Sequence, residues 1–242
     1  MNFKQLIVII TALALLPVSL YAQDKGYYYA VKADKNVKVD GLGDEAFWQR
    51  AQWYPIDEVY LGEAKESFSG RFKAAWRGNQ IYLLVEVADD NLTNSLADGF
   101  ENYWQGDCVE IFIDEALNKT DHYQNNKAFA YHIMPAGEVI DIDMDGKARI
   151  FPDTASLVIK REGNNKYLLE IVLNVYSEKY DPKAKSNKKA LVKLHKGKKL
   201  GFTAAYVDNN GNGREAFYGS TPGQGDSGYM TSESFGTLEL IK

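Results

Sequence analysis

The segment RFKAAWRGNQIYLLVEVADD (71–90) decides the fold class, because it has the pattern of two β-strands joined by a tight turn. Aromatic and β-branched residues fill both flanks, and Arg77-Gly78-Asn79 supplies the turn signal between them. Further short alternating segments follow along the chain, at 107–114, 129–134, 138–143, 155–162, 167–173, 199–207 and 236–241. Regularly spaced short strands predict an all-β protein, an immunoglobulin-like or jelly-roll-type antiparallel β-sandwich.

One stretch near the N-terminus has helical character. Asp44 can cap a short helix over 43–52, and Phe47 and Trp48 would then pack against a sheet. No shift in composition marks a domain boundary, so residues 23–242 are expected to form a single domain.

Residues 1–22 have the three-part pattern of a secretory signal: Lys4, an apolar run over 6–20, and a small residue, Ala22, at the end. The apolar run is too short to span a bilayer comfortably. We therefore expect cleavage near Ala22 and a secreted, periplasmic or cell-surface protein that does not contact the membrane after cleavage. The alternative is that the segment remains as a membrane anchor.

The charge balance argues against nucleic acid as a partner. The chain has 28 basic and 33 acidic residues, a net charge of −5, whereas nucleic-acid phosphates attract proteins with a basic surface. The basic run at 188–199 is therefore expected to be an exposed pair of strands with its turn.

Cys108 is the only cysteine, so no disulfide can form within the chain. A small packing residue is expected at this position, with a reactive thiol as the alternative. The fold must rely on its core, and we expect a monomer.

Two aromatic residues stand apart from the apolar periodic segments. Trp104 lies in the polar loop ADGFENYWQGD (97–107), and Tyr229 lies in GQGDSGYMTSES (223–234). A ring kept in a polar, glycine-rich loop suggests a ligand, since exposing apolar surface does not help folding. Sugars suit such rings, because their C–H groups pack on an aromatic face while their hydroxyls form hydrogen bonds.

The segment WQGDCVEIFID (104–114) resembles the signature of the family 9 carbohydrate-binding modules. Four more segments resemble motifs of that family in the same order: VDGLGDEAFWQ (39–49), IYLLVEVADD (81–90), LGFTAAYVD (200–208) and SFGTLELIK (234–242). The resemblance extends over about residues 30–242. It implies a DOMON-like β-sandwich that binds cellulose- or xylan-derived sugars without cleaving them.

The resemblance also implies a ligand site. Trp104 and Tyr229 would hold one sugar between parallel rings, and the carboxylate of Glu110 would accept hydrogen bonds from sugar hydroxyls. His132 is the nearest counterpart of an arginine in the family's polar strand, which has no clean match in KAFAYHIMPAG (127–137). The second ring is a tyrosine where the family has tryptophan.

Structural calcium is the only cofactor that the resemblance implies, and no organic cofactor is expected. The candidate ligands are Asp141, Asp143 and Asp145 in DIDMDG, Asp208, Asn210 and Asn212 in DNNGNG, and Asp40 and Asp44 in the DGLGDE loop. Neither DIDMDG nor DNNGNG is an EF-hand, because the twelfth position holds Pro152 or Gly219 instead of glutamate. The alternative for each is an ordinary strand end or an Asn-Gly turn.

The leading hypothesis is a non-catalytic module that captures an oligo- or polysaccharide, such as β-glucan or xylan, with a glycoside hydrolase as a partner. The first alternative is a glycoside hydrolase, or an accessory domain of one, which needs a second carboxyl group beside Glu110. The second is a haem-binding electron-transfer domain, which needs an axial histidine and methionine. His132 and Met134 are present, but on one strand face they would not hold a planar cofactor from opposite sides. The third is a surface scaffold that binds no saccharide.

Overall fold

The computed structural model describes residues 24–35, 37–90, 92–93, 100–163 and 165–242, so the expected signal segment lies outside the described residues. The all-β prediction is confirmed. The strands are β1 (Tyr27–Lys32), β2 (Tyr54–Pro55), β3 (Glu58–Leu61), β4 (Ser69–Arg77), β5 (Gln80–Ala88), β6 (Cys108–Asp114), β7 (Phe129–Ile133), β8 (Val139–Ile142), β9 (Ala148–Ile150), β10 (Ala155–Arg161), β11 (Lys166–Asn174), β12 (Lys199–Asn209), β13 (Arg214–Gly219) and β14 (Gly236–Leu240).

The main ladder runs in the order β10-β11-β5-β4-β1-β14-β12-β6-β7-β8-β9. All its pairings are antiparallel except those of β1, which lies parallel to both β4 and β14. One buried cluster contains Phe72 and Leu83 from the first half of the ladder and Ile111 and Phe202 from the second half. Strands so far apart in the ladder can share a core only if the sheet folds back on itself, which makes the two layers of a sandwich.

The hairpin of β4 and β5 forms as predicted. Arg77 is opposite Gln80, which leaves Gly78 and Asn79 as the turn. Gly78 has a φ of +65°, a backbone conformation that glycine adopts without strain and that two-residue hairpin turns require.

The predicted N-terminal helix is a single 3-10 turn, Ala46–Gln49. Asp44 is exposed and does not cap it. Glu45 occupies the N-cap position, but its side chain accepts the backbone N–H of Lys38 and not one from the turn. Phe47 and Trp48 are buried against the sheet, as the sequence predicts.

The basic run at 188–199 is not a pair of strands, contrary to the sequence prediction. It is irregular, with one isolated bridge from Leu191 to Tyr176, and only Lys199 belongs to a strand. Ala190 and Leu194 are buried in the main core, so the run follows the packing of its few apolar residues and not an alternating pattern.

Strand β6 positions the candidate site. Its odd-numbered residues Val109, Ile111 and Ile113 belong to the main core. Side chains alternate between the two faces of a strand, so Glu110 points to the opposite face, where Cys108 and Phe112 form part of a second apolar cluster.

Candidate functional site

A cavity of about 510 Å³ lies on the Glu110 face of β6, a size typical of small-molecule sites. Four of its lining residues are the ligand residues that the sequence predicts: Trp104, Glu110, His132 and Tyr229. They come from three separate parts of the chain, and the fold brings them to one place.

The two predicted aromatic residues line the cavity and are partly exposed. Trp104 is 39% exposed and belongs to a 3-10 turn, Tyr103–Gln105, immediately before β6. Tyr229 is 40% exposed and follows a second 3-10 turn, Gly225–Ser227. Each ring is therefore partly packed against the protein and partly exposed to solvent.

Arg214 also lines the cavity, and the sequence analysis does not identify it. Its guanidinium lies 5.0 Å from the centre of the Trp104 ring, where a cation is attracted by the aromatic face. Its two terminal nitrogens each donate a hydrogen bond of 3.1 Å to the carboxylate of Asp226. The side chain is therefore held on two sides.

The Nε–H of Arg214 is different, because it is buried and has no hydrogen-bond partner in the described structure. A buried donor without an acceptor costs about 1–3 kcal/mol. Arg214 thus brings an unsatisfied donor to a cavity that Glu110 also lines, and any ligand oxygen that reached it would relieve this cost.

Glu110 is 3% exposed on the floor of the cavity. Burial raises the pKa of its carboxyl group well above the ordinary value, while the charge of Arg214 acts in the opposite direction. The nearby carboxylates of Asp226 and Asp141 also raise this pKa. The group therefore holds a proton more readily than an exposed glutamate does.

His132 is opposite Glu110 on the neighbouring strand β7, and its Nε2 lies 3.4 Å from a Glu110 carboxylate oxygen. Burial lowers its pKa to about 4, so the ring is neutral at pH 7. Its Nδ1 lies 3.1 Å from the carbonyl oxygen of Ala130 and donates its proton there. This leaves Nε2 as an acceptor beside Glu110.

The predicted metal ligands in DIDMDG are each engaged by the protein. Asp141 accepts the backbone N–H groups of Ala130 and Ile142. Asp143 and Asp145 form ion pairs with the cationic side chains of Arg149 and Lys183. The positive charges of Arg149 and Lys183 thus compensate the negative charges of Asp143 and Asp145.

The other predicted ligands, Asp40, Asp44, Asn210 and Asn212, are exposed, and two of them accept local backbone hydrogen bonds. Asp40 accepts the backbone N–H of Leu42 at 3.1 Å, and Asn210 accepts that of Asn212 at 3.0 Å. Side chains of this type commonly stabilise turns in the same way.

Asp208 differs, because it meets two carboxylates that the sequence analysis does not identify. Oxygen atoms of Asp89, Asp107 and Asp208 lie within 4.8 Å of one another, and all three residues are buried. Such an oxygen set suits a hard cation such as Ca²⁺.

The protein already provides partners for this carboxylate group. Lys65 Nζ lies 2.9 Å from Asp208, the backbone N–H of Asn209 donates to Asp107, and the hydroxyl of Tyr206 donates to Asp89. Burial raises the pKa of Asp107 to about 7, and the neighbouring Asp89 adds to the shift.

In the part of the chain that the structure describes, no helix is both long and apolar enough to cross a bilayer.

The fold is similar to that of solved carbohydrate-binding proteins. A family 9 carbohydrate-binding module from Caldicellulosiruptor kristjanssonii, in complex with cellotriose, is 18% identical with a TM-score of 0.64, over 89% of this chain and 93% of that chain. A family 9 module from the same organism in complex with glucose is 17% identical with a TM-score of 0.63, over 88% and 95% of the two chains. A Bacteroides uniformis protein is 14% identical with a TM-score of 0.63, over 88% and 98%.

No curated protein is significantly similar to the chain. The model of one protein family, described as carbohydrate family 9 binding domain-like, matches residues 39–242. The matched segment contains every strand from β2 to β14 and every residue that lines the cavity. The chain therefore belongs to the carbohydrate family 9 binding domain-like family.

Proposed function

We propose that the protein binds one sugar residue of an oligo- or polysaccharide in this cavity, between Trp104 and Tyr229, and breaks no bond. One observation carries the proposal: the half-exposed rings of Trp104 and Tyr229 line the same cavity as the buried polar residues Glu110 and His132. Arg214, whose buried Nε–H has no partner in the described structure, lines this cavity too. A sugar has the matching surface, with C–H groups on its faces and hydroxyls on its edge.

The polar groups provide selectivity. The Nε–H of Arg214 can donate a hydrogen bond, and Nε2 of His132 can accept one. The carboxyl group of Glu110 accepts hydrogen bonds and, when it holds a proton, can also donate one. The Nε–H of Arg214 is buried without an acceptor in the described structure, so a ligand without an oxygen at the matching position would leave it unpaired at a cost of about 1–3 kcal/mol. The site is expected to distinguish sugars that differ in one hydroxyl.

The ligand class is proposed from the relatives and the resemblance. Solved family 9 modules of similar fold contain cellotriose and glucose. We expect this protein to bind glucose and β-glucan- or xylan-derived oligosaccharides. Its N-terminal signal pattern supports export, and a glycoside hydrolase that acts on the captured polysaccharide is the expected partner.

Isothermal titration calorimetry of the purified protein with glucose, cellobiose, xylobiose and galactose tests the proposal. Saturable binding of at least one sugar is expected, with different affinities for glucose and galactose. Absence of heat with all four sugars and with longer cello- and xylo-oligosaccharides would contradict the proposal.

Glycoside hydrolysis is a second candidate, favoured by two carboxyl groups in the same cavity. The raised pKa of Glu110 suits a general acid, and Asp226 also lines the cavity. Asp226 is held by Arg214 through both oxygens. Release of reducing sugar from xylan or β-glucan, lost in Glu110→Gln, would favour this candidate over binding alone.

The haem hypothesis has less support. His132 lines the cavity, but Met134 is completely buried in the second apolar cluster, among Phe112, Phe217 and other side chains. An absorbance spectrum of the purified protein, with and without added haem, checks for a Soret band.

Structural calcium also remains a proposal. Asp89, Asp107 and Asp208 are the described residues whose oxygen ligands fit it, and a bound Ca²⁺ would neutralise their shared negative charge.

A further inference from the structure

The loop that carries Tyr229 is joined to a second loop that carries another exposed aromatic residue, Tyr123. We name these the Tyr229 loop (224–233) and the Tyr123 loop (115–127). Met230 accepts the backbone N–H groups of both His122 and Tyr123, at 2.8 and 3.2 Å. Each loop therefore fixes the backbone of the other.

Buried polar contacts reinforce this junction. His122 Nε2 lies 2.8 Å from the carbonyl oxygen of Gly228, and Asp121 and Thr231 form an antiparallel bridge. The hydroxyl of Ser232 donates to Asp114, the last residue of β6. Both loops are thus anchored to the strand that carries Glu110.

The Tyr123 loop also holds strained backbone. Gln124 and Asn126 have φ values of +61° and +55°, and Leu117 and Lys119 have +55° and +51°. A left-handed conformation is uncommon for residues other than glycine and persists only where the surroundings enforce it. The contacts with the Tyr229 loop and with β6 provide that enforcement.

This braced loop holds the Tyr123 ring in the open beside Tyr229, although Tyr123 does not itself line the cavity. Tyr123 is 44% exposed, and its ring centre lies 6.2 Å from that of Tyr229. Gly146 lines the cavity, and a Cβ built on Gly146 would be 4.0 Å from the Tyr123 hydroxyl. Exposure alone does not distinguish this ring from other surface tyrosines, but its position does, because it extends the exposed aromatic surface outward from Tyr229.

The relative orientation of the rings decides what Tyr123 can bind. The planes of Tyr123 and Tyr229 are at 82° to each other. A pyranose that lies flat on Tyr229 cannot also lie flat on Tyr123, so the surface of Tyr123 is available to a different sugar residue.

The geometry points to a second sugar subsite at Tyr123, which binds the residue next to the one held at Tyr229. This inference rests on the proposed function, because it requires a sugar in the first position. The ligand is therefore a glycan of at least two residues. The perpendicular rings fit best a linkage that turns the second sugar ring out of the plane of the first.

The test compares glucose with two disaccharides, β-1,4-linked cellobiose and β-1,3-linked laminaribiose, by isothermal titration calorimetry. In the unmodified protein, at least one disaccharide is expected to bind about three- to tenfold more tightly than glucose, the range given by one aromatic contact. Tyr123→Ala is expected to remove most of this gain, and Tyr123→Phe, which keeps the ring, is expected to retain it.

Tyr29→Ala is the matched control, since Tyr29 is 41% exposed and does not line the cavity. It should leave the gain intact. If none of these three sugars binds, and none of the sugars named for the proposed function binds either, the proposed function fails and the subsite fails with it. If at least one sugar binds, but no disaccharide binds more tightly than glucose, or Tyr123→Ala keeps the gain, the subsite alone is overturned.

Discussion

Glu110 and His132 face each other from adjacent strands, with His132 Nε2 3.4 Å from a carboxylate oxygen of Glu110 and both residues buried. Burial shifts their pKa values in opposite directions, upward for Glu110 and downward for His132. Both shifts favour the uncharged forms. The floor of the cavity is therefore suited to neutral, hydroxyl-rich ligands more than to charged ones.

Trp104→Ala is expected to abolish measurable sugar binding, because it removes one of the two rings proposed to hold the sugar. The fold should survive, since the ring is 39% exposed and its contact with Arg214 is worth about 0.5–1 kcal/mol. Calorimetric titration and thermal denaturation measure the two effects. Trp53→Ala is the control, because Trp53 also stacks against an arginine, Arg71, but lies outside the cavity. Undiminished affinity in Trp104→Ala would refute the assignment, and Tyr229→Ala should weaken binding similarly.

Arg214→Lys is expected to lower sugar affinity about ten- to a hundredfold although it keeps the positive charge. Lysine has no Nε–H donor at the same place and cannot bind Asp226 through two parallel hydrogen bonds. Arg71→Lys is the matched control, since Arg71 also stacks on a tryptophan and pairs with a carboxylate, Glu86. Equal affinities for Arg214→Lys and the unmodified protein would show that Arg214 only supports Trp104.

Asp141→Asn is expected to change the pH dependence of stability. Burial raises the pKa of Asp141 from 3.8 to about 7, so the folded state binds a proton that the unfolded state has lost. The bound proton adds at most about 4 kcal/mol to the free energy of unfolding. This contribution is complete below about pH 4 and is lost as pH rises to about 7.

His132 acts in the opposite direction, since its lowered pKa reduces stability as pH falls from 6.5 to about 4. The informative quantity is therefore the difference between Asp141→Asn and the unmodified protein. Urea unfolding at several pH values should show this difference moving in favour of the variant as pH rises. A difference that stays constant from pH 4 to 8 would contradict the shift.

Calcium is expected to raise the midpoint of thermal unfolding if the three buried carboxylates bind it. A ligand at a hundred times its dissociation constant adds about 2.7 kcal/mol of stability. Asp208→Asn should remove the effect, and EDTA should reverse it in the unmodified protein. Asp145→Asn is the control, because Asp145 is paired with Arg149 outside this group. If Asp145→Asn removes the effect and Asp208→Asn does not, the ion lies in the DIDMDG turn.

The sequence predicted those parts of the fold that local patterns determine. The hairpin of β4 and β5 forms where the sequence predicts it, but the turn is shorter than predicted, because Arg77 belongs to β4 and is opposite Gln80. Strand β1 was not predicted, because its parallel pairing with β4 and β14 depends on segments far away in the chain. Strand β13 was not predicted either, because it directly follows an Asn-Gly-rich stretch whose pattern indicates a turn or a metal-binding loop.

The candidate site shows the same division. Trp104 and Tyr229 were identified because an aromatic ring in a polar loop is unusual at the level of the sequence. Arg214 was missed, since an arginine at the start of a strand is ordinary until the fold places it against Trp104. Asp89 and Asp107 were missed for a related reason, because their proximity to Asp208 depends on the folded chain.

The position of β1 between β4 and β14 also has a consequence for biosynthesis. Tyr27 at the start of β1 is in register with Thr237 in β14, so one of the first described strands pairs with the last. The ribosome must have made β14 before the two layers can be joined. The ladder can therefore be completed only after the segment from β1 to β14, residues 27–240, has been synthesised.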